Sequence, residues 1–224
     1  MKRVVVTGMS VITALGDDWN EFKSALIKGE NAVVTMSEWD KADGLNTRLA
    51  APVTHFEKPN HYKRKQIRSM GRVALMSTSA TERALEQADL LEHKSLTDGS
   101  TGVAYGSATG STPPLLAFAN MLESGSMSGV TATSYIQMMA HTAPVNVGVF
   151  FGLKGRVITT SSACTSGSQG IGYAYEAIKF GRQKVMVAGG AEELCITEAA
   201  VFDTLYATSI KNDTLVSDIK SGGF

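Results

Sequence analysis

The chain has 224 residues, of which 43% are hydrophobic and 19% are charged, and its 21 basic residues balance its 21 acidic ones. This composition excludes a disordered low-complexity chain, which needs low hydrophobicity and high net charge. The zero net charge also argues against a nucleic-acid-binding domain, because such domains carry a marked basic excess. We therefore expect a globular protein of one or two domains with no nucleic-acid partner.

In chain order, the first predicted element is a buried strand over residues 3–7, a run of β-branched residues. A helix over 18–28 follows, with Asp18 as its N-terminal cap. Residues 30–60 are rich in turns and lack clear periodicity. A long helix is predicted over 70–90, because its apolar residues recur at spacings of three and four.

The remainder of the chain continues to alternate between strand-like and helix-like segments. Strands are predicted over residues 102–106, 156–161 and 184–188. Helices are predicted over 114–124, much of 132–152, 165–180 and 197–207. Strands that alternate with helices predict an α/β fold with a largely parallel sheet.

The two cysteines, Cys164 and Cys195, are too few for a disulfide framework, which favours a reducing compartment. They form no cluster with zinc spacing, so we expect no metal and no other cofactor. Gly8 and Gly16 interrupt the apolar run near the N-terminus, so no signal peptide is expected. No apolar stretch is long enough to span a membrane, and the sequence therefore predicts a cytoplasmic protein.

Cys164 stands where a β-branched strand is predicted to turn into a helix. The amide groups that open a helix carry a partial positive charge and favour a thiolate over a thiol. This strand–turn–helix arrangement is that of a nucleophile elbow, in which the backbone N–H of the same residue can face an oxyanion. The alternative is a small buried side chain, which is what most free cysteines are. Cys195 lacks this setting and is expected to be structural.

Three motifs around these elements resemble a known family. They are Val4-Val-Val-Thr-Gly-Met9, Ser162-Ala-Cys-Thr-Ser-Gly167 and Val187-Ala-Gly-Gly-Ala-Glu192. In this order they resemble the β-ketoacyl-acyl-carrier-protein synthases of the thiolase-like superfamily. The resemblance implies the N-terminal half of a thiolase-like layered α/β fold, with a mostly parallel mixed sheet flanked by helices. It covers residues 1–213, after which 214–224 read as a divergent tail.

The resemblance implies a decarboxylating Claisen condensation in fatty acid or polyketide synthesis. Cys164 matches the nucleophile that takes the acyl chain from the phosphopantetheine of an acyl carrier protein. A malonyl carrier protein then loses carbon dioxide, and the resulting carbanion attacks the thioester. The resemblance also implies that Thr109 and Phe202 line the acyl pocket, and that the protein is a homodimer.

Residues 58–81 contain no acidic side chain and carry several cations. A helix over 64–72 would place Arg64, Arg68 and Arg72 on one face, where like charges repel slightly. The resemblance implies that an acidic carrier protein docks on this patch, and the residues expected to hold it are Lys63, Arg64, Lys65 and Arg68. The alternative is a solvated basic face without a partner.

The chain also departs from the resembled enzymes, which are much longer. Their two active-site histidines, a lysine and the second oxyanion donor lie in a C-terminal half, and no histidine of this chain sits in a matching motif. We expect a truncated synthase that exposes an apolar face and lacks the decarboxylation residues. A non-catalytic half-synthase that binds carrier protein or dimerises stays an alternative. A thiolase-type enzyme fits less well, because coenzyme A esters need no basic docking patch.

Overall fold

The computed structural model describes residues 2–212, which fall into two compact units. The first unit comprises the residues up to Ser10 together with Lys58–Glu193. The second unit comprises Val11–Glu57 together with the residues that follow from Leu194. Each unit has its own hydrophobic core, as the contacts below show.

Helices and strands alternate as the sequence predicts, which confirms the α/β class. The α-helices are α1 (Trp19–Ile27), α2 (Arg64–Ile67), α3 (Arg72–Gln87), α4 (Pro113–Ser124), α5 (Ser134–Met138), α6 (Thr142–Phe150), α7 (Ser166–Lys179) and α8 (Ile196–Thr204). The strands are β1 (Val34–Thr35), β2 (Leu49–Ala50), β3 (Thr101–Gly106), β4 (Val157–Thr160) and β5 (Val185–Gly190). Short 3-10 helices cover Ser37–Lys41 and Lys94–Leu96.

The sheet of the first unit is parallel and has the order β4-β3-β5. Val103 of the central strand pairs with Val157 on one side and with Val187 on the other. All six residues of β3 are buried. Because the strands are parallel, their carboxyl ends meet at one edge, where Gly106 pairs with both Thr160 and Gly190.

Helix α7 lies against the sheet at a distance that only glycine permits. A Cβ atom on Gly170 would lie 2.7 Å from the carbonyl oxygen of Ala104 in β3. A Cβ atom on Gly106 would lie 2.6 Å from the backbone carbonyl carbon of Ser166. Several glycines in one helix weaken it, and here they allow the backbones of helix and sheet to approach.

The core of the first unit forms where α3 and α6 pack near β3. Val73, Val103 and Val147 are fully buried and form one cluster with Tyr105 and Ala143. Burial raises the pKa of Tyr105 to about 12, so its phenol stays neutral at physiological pH. Burial of such aliphatic side chains stabilises a fold by roughly 1.5–3 kcal/mol each.

The predicted strand over residues 3–7 is wrong. This segment pairs with no strand among residues 2–212, and Val5 and Val6 are 59% and 77% exposed. Its neighbours are helices instead: the Lys2 N–H donates to the carbonyl of Lys179, and Gly8 packs directly on the backbone of Ala84. A β-branched run forms a strand only where its backbone pairs with a neighbouring strand, and here helix contacts take that place.

Residues 64–72 do not form one helix, so the condition for placing Arg64, Arg68 and Arg72 on one face is not met. Helix α2 ends at Ile67, and Gly71 separates it from α3 as the N-cap of that helix. Arg72 therefore begins a different helix and does not continue the face of Arg64 and Arg68. A Cβ atom on Gly71 would lie 2.5 Å from the side chain of Ser111, so close packing leaves room only for glycine at this position.

The second unit is built from short elements. Asp18 caps α1, as predicted, by accepting hydrogen bonds from the N–H groups of Asn20 and Glu21. Strands β1 and β2 pair antiparallel over two residues each. A small core gathers around Met36, Trp39 and Leu45 and includes apolar residues of α8.

Two further expectations concern the length of the chain. None of the helices over residues 2–212 is both long and apolar enough to cross a membrane. The predicted tail over 214–224 lies outside the described residues, and the domain boundary after residue 213 stays a prediction.

Candidate active site

Three loops of the first unit meet at the carboxyl edge of the parallel sheet. Residues 107–111 follow β3, residues 161–165 follow β4, and residues 191–193 follow β5. A hydrogen bond of 3.4 Å from the Ser161 hydroxyl to the Ala108 carbonyl joins the first two loops. Ligands of α/β sheets commonly bind at this edge.

Cys164 lies in the turn between β4 and α7, and it is exposed. The preceding residue, Ala163, has a φ of +50°, a left-handed conformation that L-residues with a Cβ rarely adopt. Helix α7 begins at Ser166, two residues after the cysteine. The predicted strand–turn–helix placement is therefore confirmed, and the thiol faces solvent rather than the core.

Hydrogen bonds across the turn hold its strained conformation. Ser166, which is 3% exposed, donates from its hydroxyl to the Ala163 carbonyl at 2.7 Å and accepts from the Ser162 N–H at 2.9 Å. The Thr165 hydroxyl donates to the Ser162 carbonyl at 2.8 Å. Small hydroxyl residues around the cysteine thus satisfy the backbone groups that a sharp turn leaves unpaired.

Two glutamates that the sequence reasoning did not select as site residues fix the loop after β3. Glu192 accepts hydrogen bonds from the Ser107 hydroxyl at 3.2 Å and from the Ala108 N–H. Glu193 is 7% exposed, and its Oε1 accepts from both the N–H and the hydroxyl of Thr112 at 2.7 Å. The signal that could have found them is their position directly after a predicted strand, at the edge where the loops converge.

The structure brings Thr109 and Cys164 to the same edge of the sheet. Thr109 is exposed in the loop after β3, and the neighbouring Ala108 contacts the cysteine-bearing loop through Ser161. Phe202 lies on α8 of the second unit, where its side chain is 45% exposed. The pocket roles of Thr109 and Phe202 remain predictions.

The basic segment, which we define as residues 63–68, lies on the surface of the first unit. Lys63, Arg64, Lys65 and Arg68 are all exposed. Within residues 2–212, none of these four cations forms an ion pair with a carboxylate. Tyr62 and Met70, at 3% and 7% exposure, flank the segment as buried anchors.

The helix-start setting that the sequence does not predict at Cys195 is present in part, because this residue is the N-cap of α8. Its structural role stays a prediction. Its sulfur is half-buried and accepts a hydrogen bond from the Thr197 hydroxyl at 3.2 Å. The helix begins at Ile196, one residue before its predicted start at 197.

The chain is similar to known synthases over nearly its whole length. It is 29% identical over 216 residues to 3-oxoacyl-[acyl-carrier-protein] synthase 1 of Haemophilus influenzae, covering 96% of this chain and 52% of that protein. It is 30% identical to 3-oxoacyl-[acyl-carrier-protein] synthase 2 of Vibrio harveyi, covering 95% of this chain and 51% of that protein. The chain thus spans about half the length of the curated relatives it matches.

Solved structures agree with this likeness. The crystal structure of a β-ketoacyl synthase from Burkholderia phymatum STM815 has a TM-score of 0.92 and 57% identity, covering 95% of this chain and 52% of that chain. A ketosynthase in complex with a type II polyketide acyl carrier protein has a TM-score of 0.76 and 21% identity, covering 93% of this chain and 56% of that chain. At this identity the likeness supports the thiolase-like fold alone. The family model for the N-terminal domain of β-ketoacyl synthase matches residues 1–224. With Cys164 at its strained turn before α7, the chain belongs to the β-ketoacyl synthase family, whose N-terminal domain it carries.

Proposed function

We propose that this chain supplies the acyl-accepting half of a β-ketoacyl-acyl-carrier-protein synthase, with Cys164 as its nucleophile. The observation that carries the proposal is the exposed thiol in a turn whose strained conformation is held by hydrogen bonds of the buried Ser166 side chain. Strained backbone held by its surroundings is a feature of functional sites. The whole reaction is a decarboxylating Claisen condensation in fatty acid or polyketide synthesis.

In the acyl-transfer step, the Cys164 thiolate attacks the carbonyl carbon of an acyl thioester on a carrier protein. A new carbon–sulfur bond forms, and the carbonyl oxygen becomes an oxyanion. The oxyanion collapses, the bond to the phosphopantetheine sulfur breaks, and that thiolate leaves and takes a proton from water. We assign the backbone N–H of Cys164 as one donor to the oxyanion, because it lies in the turn that opens α7.

We propose that Thr109 and Phe202 contact the acyl chain. Support for Thr109 is its exposed position at the carboxyl edge of the sheet, in the loop that contacts the cysteine-bearing loop. Support for Phe202 is its partly exposed aromatic side chain. The condensation step needs the histidines and lysine that the family carries in its C-terminal half.

The proposed partner is an acyl carrier protein, which is acidic, and the proposed docking site is the basic segment. Four exposed cations without carboxylate partners among residues 2–212 support it. Opposite charges accelerate the encounter of two proteins and lose that effect as salt rises. We also infer a cytoplasmic location and a homodimer, the latter supported by exposed apolar side chains such as Leu116 and Leu122 of α4, at 67% and 81% exposure.

The proposal is tested by acylation of the purified chain with acyl-carrier protein, followed by intact mass spectrometry. We expect the chain to gain the mass of one acyl group, and Cys164→Ala to gain none. Cys195→Ala is the matched control and should be acylated like the unmodified chain. Carrier-protein binding without acyl transfer would instead support the non-catalytic half-synthase.

A second measurement separates the two thiols. Iodoacetamide should alkylate Cys164 at least about tenfold faster than Cys195 near neutral pH, because one thiol is exposed and the other is half-buried. The charge-reversed variant K63E/R64E should lose carrier-protein binding but keep its alkylation rate. Equal slow alkylation of both cysteines would contradict the assignment of the nucleophile.

A further inference from the structure

A single carboxylate joins the start of the basic segment to helix α3. Oε1 of Glu82 lies 2.8 Å from Nε2 of His61, and Oε2 accepts a hydrogen bond of 3.0 Å from the Tyr62 hydroxyl. The Glu82 side chain is only 17% exposed. Two consecutive residues directly before Lys63 therefore occupy both oxygens of this carboxylate.

Packing adds to these contacts. The centroid of the Tyr62 ring lies 4.6 Å from that of Phe150 in α6. The His61 ring packs edge to face against the Tyr62 ring, with 4.9 Å between their centroids. Burial, and after it the neighbouring Glu82 carboxylate, raises the pKa of Tyr62. The phenol thus stays protonated and remains a donor to Glu82.

The other end of the basic segment is also fixed. The Met70 N–H donates to the Ile67 carbonyl at 2.9 Å, and the Met70 side chain is buried. Within the segment, the Lys63 N–H donates to Oε1 of Gln66 at 3.1 Å. The four cations therefore lie on a single helical turn, α2 with its flanking residues, and both ends of this turn are anchored. Glu82 makes the polar contact of the N-terminal anchor.

We propose that Glu82 is a positioning residue for the docking of an acidic carrier protein, acting through His61 and Tyr62 on the neighbouring Lys63 and Arg64. This inference rests on the proposed docking function of the basic segment. Since this chain already engages both oxygens of Glu82, the carboxylate acts by ordering the turn rather than by contact with the partner. An ordered turn presents its cations without the entropic cost of ordering them on binding.

The charge of Glu82 makes the inference easy to distinguish from simple electrostatics. Removal of a negative charge beside a docking surface should tighten binding of an acidic partner if charge alone matters. Positioning predicts the opposite sign, namely weaker binding in Glu82→Ala. Glu86 lies one turn further along α3 and is exposed, so Glu86→Ala removes the same charge without touching the anchor.

The experiment measures the Kd of the chain for a bacterial holo-acyl carrier protein by calorimetry at several salt concentrations. We expect Glu82→Ala to weaken binding about fivefold, because about one residue would then lose its conformational freedom only when the partner binds. Its affinity should also fall less steeply with salt, since fewer cations engage together. Tyr62→Phe keeps the ring and loses the hydroxyl, and it should weaken binding in the same direction; Glu86→Ala should bind as tightly as the unmodified chain or more tightly.

Trypsin offers a readout that needs no partner, because it cleaves after Lys63, Arg64, Lys65 and Arg68. Cleavage within the basic segment should be faster in Glu82→Ala than in Glu86→Ala, at equal melting temperature. Carrier-protein binding and trypsin cleavage that are both unchanged in Glu82→Ala and Tyr62→Phe would overturn the inference alone. If the unmodified chain binds no carrier protein, or if K63E/R64E binds like the unmodified chain, the docking function and this inference both fail.

Discussion

The hydroxyl of Thr160, the last residue of β4, donates a hydrogen bond of 2.8 Å to the carbonyl of Ser166, the first residue of α7. Both residues are 3% exposed. The contact spans the turn that carries Cys164 and fixes where the strand ends relative to where the helix begins. The geometry at the proposed nucleophile therefore depends on hydroxyl side chains buried beneath it.

The first prediction concerns Ser166→Ala. This change leaves the Ser162 N–H without its acceptor, whereas the Ala163 carbonyl keeps the backbone N–H of residue 166 as a donor. An unpaired polar group costs about 1–3 kcal/mol when it is buried. We expect a loss of about that size in the free energy of unfolding, measured with urea. Ser168→Ala, on the exposed face of the same helix, is the control and should change stability little. Equal stability of the two variants would contradict the role of Ser166.

The second prediction concerns the left-handed residue Ala163. A β-branched side chain is strongly disfavoured at positive φ, so Ala163→Val should destabilise the chain by about 1–2 kcal/mol. Ala163→Gly removes the steric conflict at the cost of a more flexible unfolded chain, and should stay within about 1 kcal/mol of the unmodified protein. Thermal unfolding measures both, and a stable Val variant would show that the turn can relax.

The third prediction compares two glycines of α7. A Cβ atom on Gly170 would collide with the Ala104 carbonyl oxygen at 2.7 Å, whereas one on Gly172 would meet nothing within 4 Å. Gly172→Ala should therefore stabilise the helix by about 1 kcal/mol. Gly170→Ala should destabilise the chain, because the clash is with backbone that cannot move aside. Urea titrations of both variants measure the difference, and the same sign for both would argue against close packing of α7 on β3.

The fourth prediction is a pH dependence set by Asp203 in the second unit. Donation from the Asn46 backbone N–H, together with hydrogen bonds from Thr208 and Thr47, holds the pKa of Asp203 below its ordinary value. A lowered pKa in the folded state means that the carboxylate stabilises the fold above about pH 4 and loses that effect as the pH falls further.

Asp203→Asn should consequently have a lower free energy of unfolding than the unmodified chain at pH 7. This gap in the free energy of unfolding should narrow as the pH falls below about 4. Urea unfolding followed by circular dichroism at several pH values measures the gap. Asp43→Asn removes an exposed carboxylate outside this network and should leave stability at pH 7 nearly unchanged. A gap that is constant from pH 7 to pH 3 would contradict the assignment.

Local sequence signals predicted the elements that carry the site. The β-branched run before Ser161 and the small residues after Cys164 predicted a strand, a turn and a helix, and the structure has them in that order. Hydrophobic periodicity likewise predicted α3 within a few residues. These elements follow from properties of adjacent residues, which a single sequence displays.

Features that depend on distant partners could not be predicted in this way. Residues 3–7 have the composition of a strand, but no sequence signal reports whether they pair with another strand in the fold. Gly71, between α2 and α3, has no room for a Cβ atom because the side chain of Ser111 occupies that space, a contact between residues far apart in the chain. The same reasoning applies to Glu193, whose role appears only when Thr112 is placed beside it.

The two strands that precede the Thr109 loop and the Cys164 turn differ in burial. The loop with Thr109 leaves the central strand β3, which is buried throughout, whereas Cys164 follows β4, an outer strand of the described sheet in which Val157 is 50% exposed. Hydrogen exchange should therefore be slowest in β3 and faster in β4, since local opening begins where few contacts must break. Local opening short of global unfolding would then displace Cys164 before it displaces the loop that carries Thr109.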